Sequence, residues 1–162
     1  ARPGVTPAWL MTQAYGTGYD RLGDMHTDEM WARISMASQQ VMEKTPTRLL
    51  IPAGTAIQNA RYTALDRFGK AGHLVYDGYH LHEGIAPLIE GLCAAQVVMK
   101  HYGVDVDVEK SRLRITPEWR KERRTPEPHG EPEPATEEDY SLAYRSVKWA
   151  LASPWQLTVI EK

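Results

Sequence analysis

The stretch Arg48-Leu49-Leu50-Ile51-Pro52-Ala53-Gly54-Thr55-Ala56-Ile57-Gln58 carries the reading of the fold. Leu49 to Ile51 is a continuous apolar run, too short for a helix and bounded by Arg48 and Pro52, as a buried strand would be. Proline brings no N–H to a sheet ladder, so the strand ends there. Thr55 and Gln58 then stand at the T-x-x-Q spacing of a capping box. The helix so opened is expected to reach Phe68, with Gly69 placed to end it.

The same alternation extends on both sides. Upstream, Trp9-Leu10-Met11-Thr12-Gln13 reads as another buried strand, closed by Gly16 and Gly18. Between the strands, residues 28–44 predict a helix, with Asp28 and Glu29 opening it, Trp31, Ile34, Ser38 and Val41 on one face, and Pro46 beyond its end. Downstream, Leu74-Val75-Tyr76 is short and extended and runs into the turn signal Asp77-Gly78. Residues 85–102 form the clearest helix: Ile85, Leu88, Ile89, Leu92, Gln96, Met99 and Tyr102 share a stripe, and the other faces are also apolar enough to predict deep burial. Val104, Val106 and Val108 alternate with acids, which predicts an edge strand in a hairpin with Leu113 and Ile115. Thr125 to Glu137 is rich in Pro and Glu and reads as an extended connector. A last helix is expected over 137–152, with Tyr140, Tyr144, Val147 and Leu151 inward and Pro154 after it.

Strands alternating with helices predict an α/β domain, a three-layer α/β/α parallel sheet with helices on both faces. The expected organisation is one half of such a domain over 1–103, an irregular and connector region over 104–135, and a helix and tail over 136–162 packing on the same domain. Two strands do not sustain a doubly wound sheet, and Ala1-Arg2-Pro3-Gly4 shows neither an initiator Met nor a leader's hydrophobic region. The expectation is therefore an N-terminally shortened domain, exported with its signal removed or lacking one in this chain.

Composition narrows the partners. With 42% hydrophobic and 25% charged residues and a formal charge of −2, the chain has material for a core and no basic excess to draw nucleic acid. The one dense basic run, Arg120-Lys121-Glu122-Arg123-Arg124, reads as solvated surface. The lone Cys93 excludes an intrachain disulfide framework and, set among apolar neighbours in a helix, reads as an inert core thiol. No stretch approaches the roughly 20 apolar residues of a membrane span.

The segment that could carry chemistry is Tyr76-Asp77-Gly78-Tyr79-His80-Leu81-His82-Glu83-Gly84. Asp and His three apart in a turn can set a carboxylate against an imidazole, fixing its tautomer and stabilising its cation. Spacing alone leaves the bland alternative open, a turn at Asp77-Gly78 and a polar residue leading into a helix.

Asp77, His80, Leu81 and Gly84 resemble the last conserved block of SGNH (GDSL-type) hydrolases, a D-x-x-H motif introducing the C-terminal helix. Leu49 to Gly54 is similar to the strand and loop that precede this block, and Trp9 to Tyr15 to an earlier strand. The resemblance covers residues 8–102 and implies an SGNH/flavodoxin-like sheet and a serine esterase acting through an acyl-enzyme, on an ester such as an acetylated carbohydrate. In that family Asp77 would orient and His80 would be the general base, with no cofactor. The nucleophile is expected upstream of Ala1, because the chain has neither a Gly-Asp-Ser or Gly-Asn-Ser turn nor a Gly-x-Asn-Asp block. Ser35, Ser38, Ser141 and Ser146 fall inside helices, Ser111 among charges and Ser153 before Pro154. Thr55 reads as a cap. The fragment alone is expected to be inactive.

Two further readings compete. One is a metal site on Asp77, His80, His82 and Glu83, with His73 close in sequence; alternate residues of an extended segment diverge, so it requires the loop to curl. The other is a non-catalytic carbohydrate- or protein-binding module, with Tyr15, Tyr19, Trp119, Trp149 and Trp155 offering flat apolar faces.

Overall fold

The computed structural model describes residues 4–17, 19–69, 72–82, 84–111, 114 and 134–158. Ala8–Leu10 (β1) and Leu49–Ile51 (β2) pair in parallel, Ala8 with Leu49, Trp9 with Leu50 and Leu10 with Ile51. Parallel neighbours need a crossover, and Thr27–Lys44 (α1) supplies it. Ala53–Arg61 (α2), Ile85–His101 (α3), Val108–Ser111 (α4) and Glu137–Ala152 (α5) follow, with short 3-10 turns at Asp20–Leu22 and Ala64–Arg67.

Local chemistry explains where the helices begin. In α1, Asp28 and Glu29 occupy the positive end of the helix and Lys44 the negative end, while Trp31, Ser35 and Ser38 face inward. At α5 the Thr136 hydroxyl accepts from the Asp139 N–H at 3.2 Å and the Thr136 N–H donates to Asp139 Oδ2 at 2.8 Å. Arg67 then grips the same carboxylate through both oxygens, at 2.8 and 2.7 Å. Those bonds, led by Arg67, outweigh desolvation and hold the Asp139 carboxyl below its ordinary pKa.

α2 is the centre of the molecule, and every residue from Ala53 to Arg61 is buried. Gly54 lets it sit there. Its N–H donates to the Met11 carbonyl at 2.7 Å, and a Cβ at this position would stand 2.1 Å from the Thr12 carbonyl oxygen. α2, α3 and α5 enclose the larger core, where Ile57, Leu65, Leu74, Ile89, Leu92 and Val147 are fully or almost fully buried. A smaller cluster of Met11, Ala14 and Trp31 lies between the strands and α1, with Trp9, Leu50 and Trp155 packed against it.

Several expectations are corrected here. The described residues form a two-stranded sheet in a predominantly helical molecule, not a three-layer SGNH- or flavodoxin-like parallel sheet. The strand–helix alternation is real, but each strand is three residues long, and α2, α3 and α5 bury their apolar faces on one another rather than on a sheet. Thr55 and Gln58 are not a capping box: α2 starts at Ala53 after Pro52 with no side-chain cap, and both lie inside the helix. The Thr55 hydroxyl instead donates to the Pro154 carbonyl at 2.6 Å and accepts from the Trp31 indole at 3.3 Å. The helix ends at Arg61, short of Phe68, because a 3-10 turn takes over with the Thr63 hydroxyl accepting from the Leu65 N–H.

α3 is deeply buried only in its first half; Val98 and Met99 are 42% and 41% exposed. The expected edge strand at Val104 to Val108 is irregular chain that turns into α4. Leu113 and Ile115, the Arg120 to Arg124 run, and most of the Pro-Glu connector lie outside the described residues. Among the described residues no helix is long and apolar enough to cross a membrane.

Candidate functional site

Both strands of a parallel pair end at the same edge, so the chain leaving β1 and the chain entering α2 meet there. Arg61, buried at the end of α2, gathers the surrounding loops. Its Nη2 donates to the Ala14 carbonyl at 2.8 Å, its Nε to the His73 carbonyl at 2.9 Å, and its Nη1 to Gln58 Oε1 at 2.8 Å. Gln58 in turn donates to Asp28 Oδ1 at 2.6 Å. Burial lowers the Arg61 pKa to about 10, against the opposing pull of Asp66 and Asp28. The guanidinium thus fixes the loop after β1 and the segment leading to Asp77 against each other.

The segment from Leu74 to His82 folds back on itself. Val75 and Leu81 form an antiparallel bridge, the Tyr76 N–H donates to the His80 carbonyl at 3.1 Å, and the His82 N–H to the Leu74 carbonyl at 2.8 Å. His73 and Leu74 enter this fold at φ 59° and 58°, left-handed values uncommon for residues with a Cβ. They are held by His73 N–H to Asp66 carbonyl (2.8 Å), Leu74 N–H to Phe68 carbonyl (2.9 Å), and a His73 Nδ1 to Asp66 Oδ1 contact of 3.1 Å.

Within the fold, Asp77 and His80 meet. His80 Nδ1 lies 2.6 Å from Asp77 Oδ2, while Asp77 Oδ1 accepts the His80 and Tyr79 amides at 2.8 and 3.1 Å. Desolvation pushes the Asp77 carboxyl up, but the His80 side chain and the two amides together hold it below the usual range. With the carboxylate accepting at Nδ1, the imidazole keeps Nε2 for other partners. The side chains of His80 and Asp77 are 45% and 33% exposed, so the pair faces solvent.

Aromatic rings surround this pair. Tyr76 stacks on the His80 ring at 5.3 Å with an 8° interplanar angle, and Tyr79 lies 3.6 Å from it. Tyr15 and Tyr19, from the loop after β1, complete a trio with Tyr79 at centroid separations of 5.3 to 5.5 Å. The two loops are fastened by the Gly16 N–H to the Gly78 carbonyl (2.6 Å) and by Gln13 Nε2 to the Tyr79 carbonyl (3.0 Å). Gly78, at φ 94°, leaves room for Tyr19, whose ring carbon would be 2.7 Å from a Cβ there.

Asp77 and His80 are therefore in contact, and Tyr15 and Tyr19 lie beside them. Trp149, 45% exposed on α5, and Trp155, packed on the Met11 cluster, do not; Trp119 lies outside the described residues. No group of three or more metal-ligating side chains converges among the described residues, and Glu83 lies outside them. Among the described residues no serine or cysteine hydrogen-bonds His80: Ser35 and Ser38 are buried in α1, Ser146 donates to the Leu142 carbonyl at 2.9 Å, and Cys93 is fully buried with its thiol pushed up to about 12, first by desolvation. Arg61, Gln13, Tyr76 and Tyr79 are functional candidates that motif reading passed over. Tyr76 and Tyr79 flank the Asp-His pair in sequence and were within its reach; Arg61 and Gln13 act through backbone carbonyls, which leave no sequence signal.

The sequence matches the family described as Domain of unknown function (DUF4886) over residues 9–113. The fold is similar to the crystal structure of a DUF4886 family protein from Bacteroides uniformis ATCC 8492, with a TM-score of 0.69 and 19% identity. That likeness covers 96% of this chain and 51% of the other, so the chain spans about half the length of that protein. No curated protein matches the sequence. These findings overturn the SGNH resemblance and what it implied. The family is DUF4886, no catalytic triad is assembled among the described residues, and neither a hydrolase activity nor an ester substrate is supported.

Proposed function

We propose that this chain, which belongs to the DUF4886 family, is a non-catalytic binding module that takes a carbohydrate at the Asp77–His80 cluster. The observation that carries it is the convergence of Tyr15, Tyr19, Tyr76 and Tyr79 around a solvent-facing Asp–His pair. Sugar rings present apolar C–H faces and hydroxyl edges together. Aromatic rings receive the first, and an imidazole nitrogen and a carboxylate receive the second. The placement also fits, since ligands of open parallel sheets bind beyond the carboxyl ends of the strands.

In this reading His80 offers Nε2 to a hydroxyl, Asp77 holds the ring in place, and Tyr79 provides the stacking face. Arg61 and Gln13 are positioning residues. An exported location suits a polysaccharide ligand and is checked by cell fractionation.

The test is NMR titration of the full chain with a panel of neutral oligosaccharides, following the tyrosine and histidine ring signals. A binder should shift Tyr76, Tyr79 and His80, be recovered unchanged, and lose about tenfold or more in affinity with Tyr79→Ala or His80→Ala. A panel without any binder, or variants binding as well as the parent, would sink the proposal.

A further inference from the structure

Three successive residues of the loop after β1 are held by three different parts of the chain. The Ala14 carbonyl accepts from Arg61 Nη2 of α2 at 2.8 Å, and the Gly16 N–H donates to the Gly78 carbonyl at 2.6 Å. Between them, the Tyr15 N–H donates to Sδ of Met30 in α1 at 3.2 Å. A thioether is a weak acceptor for an amide, and of the groups that hold this loop it is the one open to oxidation. Met30 is half-buried and packs against the cluster of Met11, Ala14 and Trp31. The ring that its sulfur anchors lies 5.3 Å from Tyr19 and 5.4 Å from Tyr79.

We propose that Met30 is an oxidation site whose sulfoxide releases Tyr15 from the aromatic cluster. The oxidant is a peroxide. A sulfur lone pair attacks one peroxide oxygen, the S–O bond forms as the O–O bond breaks, and the leaving oxygen takes the proton and departs as water or an alcohol. Sulfur loses two electrons and the peroxide gains them. The sulfur of a sulfoxide carries positive charge, so in either epimer it ceases to accept from the Tyr15 N–H. The new oxygen also brings a polar group against the apolar Met11 cluster. A methionine sulfoxide reductase reverses the step: two thiols give up the electrons and become a disulfide, and the oxygen leaves as water. A weaker hold on sugar after oxidation rests on the carbohydrate reading above; the release of Tyr15 does not.

The experiment treats the full 162-residue chain with graded hydrogen peroxide and maps sulfoxide at each methionine by peptide mass. NMR follows the Tyr15 amide and the contact between the Tyr15 and Tyr79 rings. Met30 should be converted while the fully buried Met11 stays intact. The Tyr15 amide should then exchange with solvent about tenfold faster, as the loss of one hydrogen bond predicts, and the ring contact should fade. Reductase treatment should restore both. Met30→Leu, which keeps an apolar side chain of similar volume, should make the ring contact indifferent to peroxide.

The proposal is overturned if Met30 survives peroxide that converts the exposed Met36 and Met99, or if its sulfoxide leaves the Tyr15 amide and the ring contact unchanged. A Met30→Leu chain that responds to peroxide as the parent does would also overturn it. A neutral oligosaccharide that binds the parent should lose about tenfold in affinity on oxidation and regain it on reduction; an affinity unmoved by the sulfoxide counts against the proposal. If no oligosaccharide binds and the Tyr15 signals still respond, the release stands and the carbohydrate reading alone fails.

Discussion

Arg61 Nη2 donates to the Ala14 carbonyl at 2.8 Å, across 47 residues of sequence, and through this bond the core helix α2 holds the loop that carries Tyr15. Arg61 is 7% exposed, and its guanidinium also serves the His73 carbonyl and Gln58. It couples the stability of the molecule to the shape of the site.

Arg61→Met is expected to lower stability by about 3 kcal/mol, because it leaves two backbone carbonyls and a glutamine oxygen without their donor. Urea unfolding measures the loss. In the same variant the nuclear Overhauser contacts between the Tyr15 and Tyr79 rings should fade; their persistence at full strength would refute the coupling.

Gly54→Ala tests the close approach of α2 to β1. A methyl group 2.1 Å from the Thr12 carbonyl oxygen cannot be absorbed by a side-chain rotation, since the obstacle is backbone. A loss of about 2 kcal/mol or more is expected despite the better helix propensity of alanine. Thermal melting of the variant at or above the parent temperature would contradict it.

Asp139 makes stability depend on acid. Its folded pKa lies below the unfolded value because Arg67 and the Thr136 groups prefer the carboxylate, so its contribution is complete above the unfolded pKa and drains away as the pH falls through the folded one. Asp139→Asn should cost about 2 kcal/mol at neutral pH and much less in acid. Parallel stability–pH curves for parent and variant would rule this out.

Asp77 has the same sign. Its folded pKa is also depressed, so its hold on the turn is full above the unfolded pKa and is released as the pH falls through the folded value. The Tyr79 and His80 amides, which donate to Asp77, should lose hydrogen-exchange protection in that acid range. Asp77→Asn should show weak protection at every pH, and a parent-like profile would count against the hydrogen-bond scheme.

Cys93 should resist a thiol reagent at neutral pH in the folded chain and react promptly in denaturant, because burial raises its pKa to about 12 and blocks access. Rapid labelling of the native protein would disprove the inert-thiol assignment.

The sequence by itself determined the local pieces, because these follow from short-range chemistry. Apolar runs before Pro52 and Gly16 located both strands, acidic openings and periodic faces located α1 and α5, and three-residue spacing in a turn put Asp77 within reach of His80 without fixing their contact. It misled where a local signal had a distant use. Thr55 and Gln58 have cap spacing, yet their side chains are spent on Pro154, Arg61 and Asp28. Only the tertiary structure decided that α2, α3 and α5 bury one another instead of flanking a wide sheet, since an apolar stripe does not name its partner. Only it decided that Tyr15 and Tyr19 meet Tyr79, a contact made across 60 residues or more by Gly78 having no side chain and by the bonds of Arg61 and Gln13 to backbone carbonyls. Such bonds use groups that every residue carries, and so they leave no mark in the sequence.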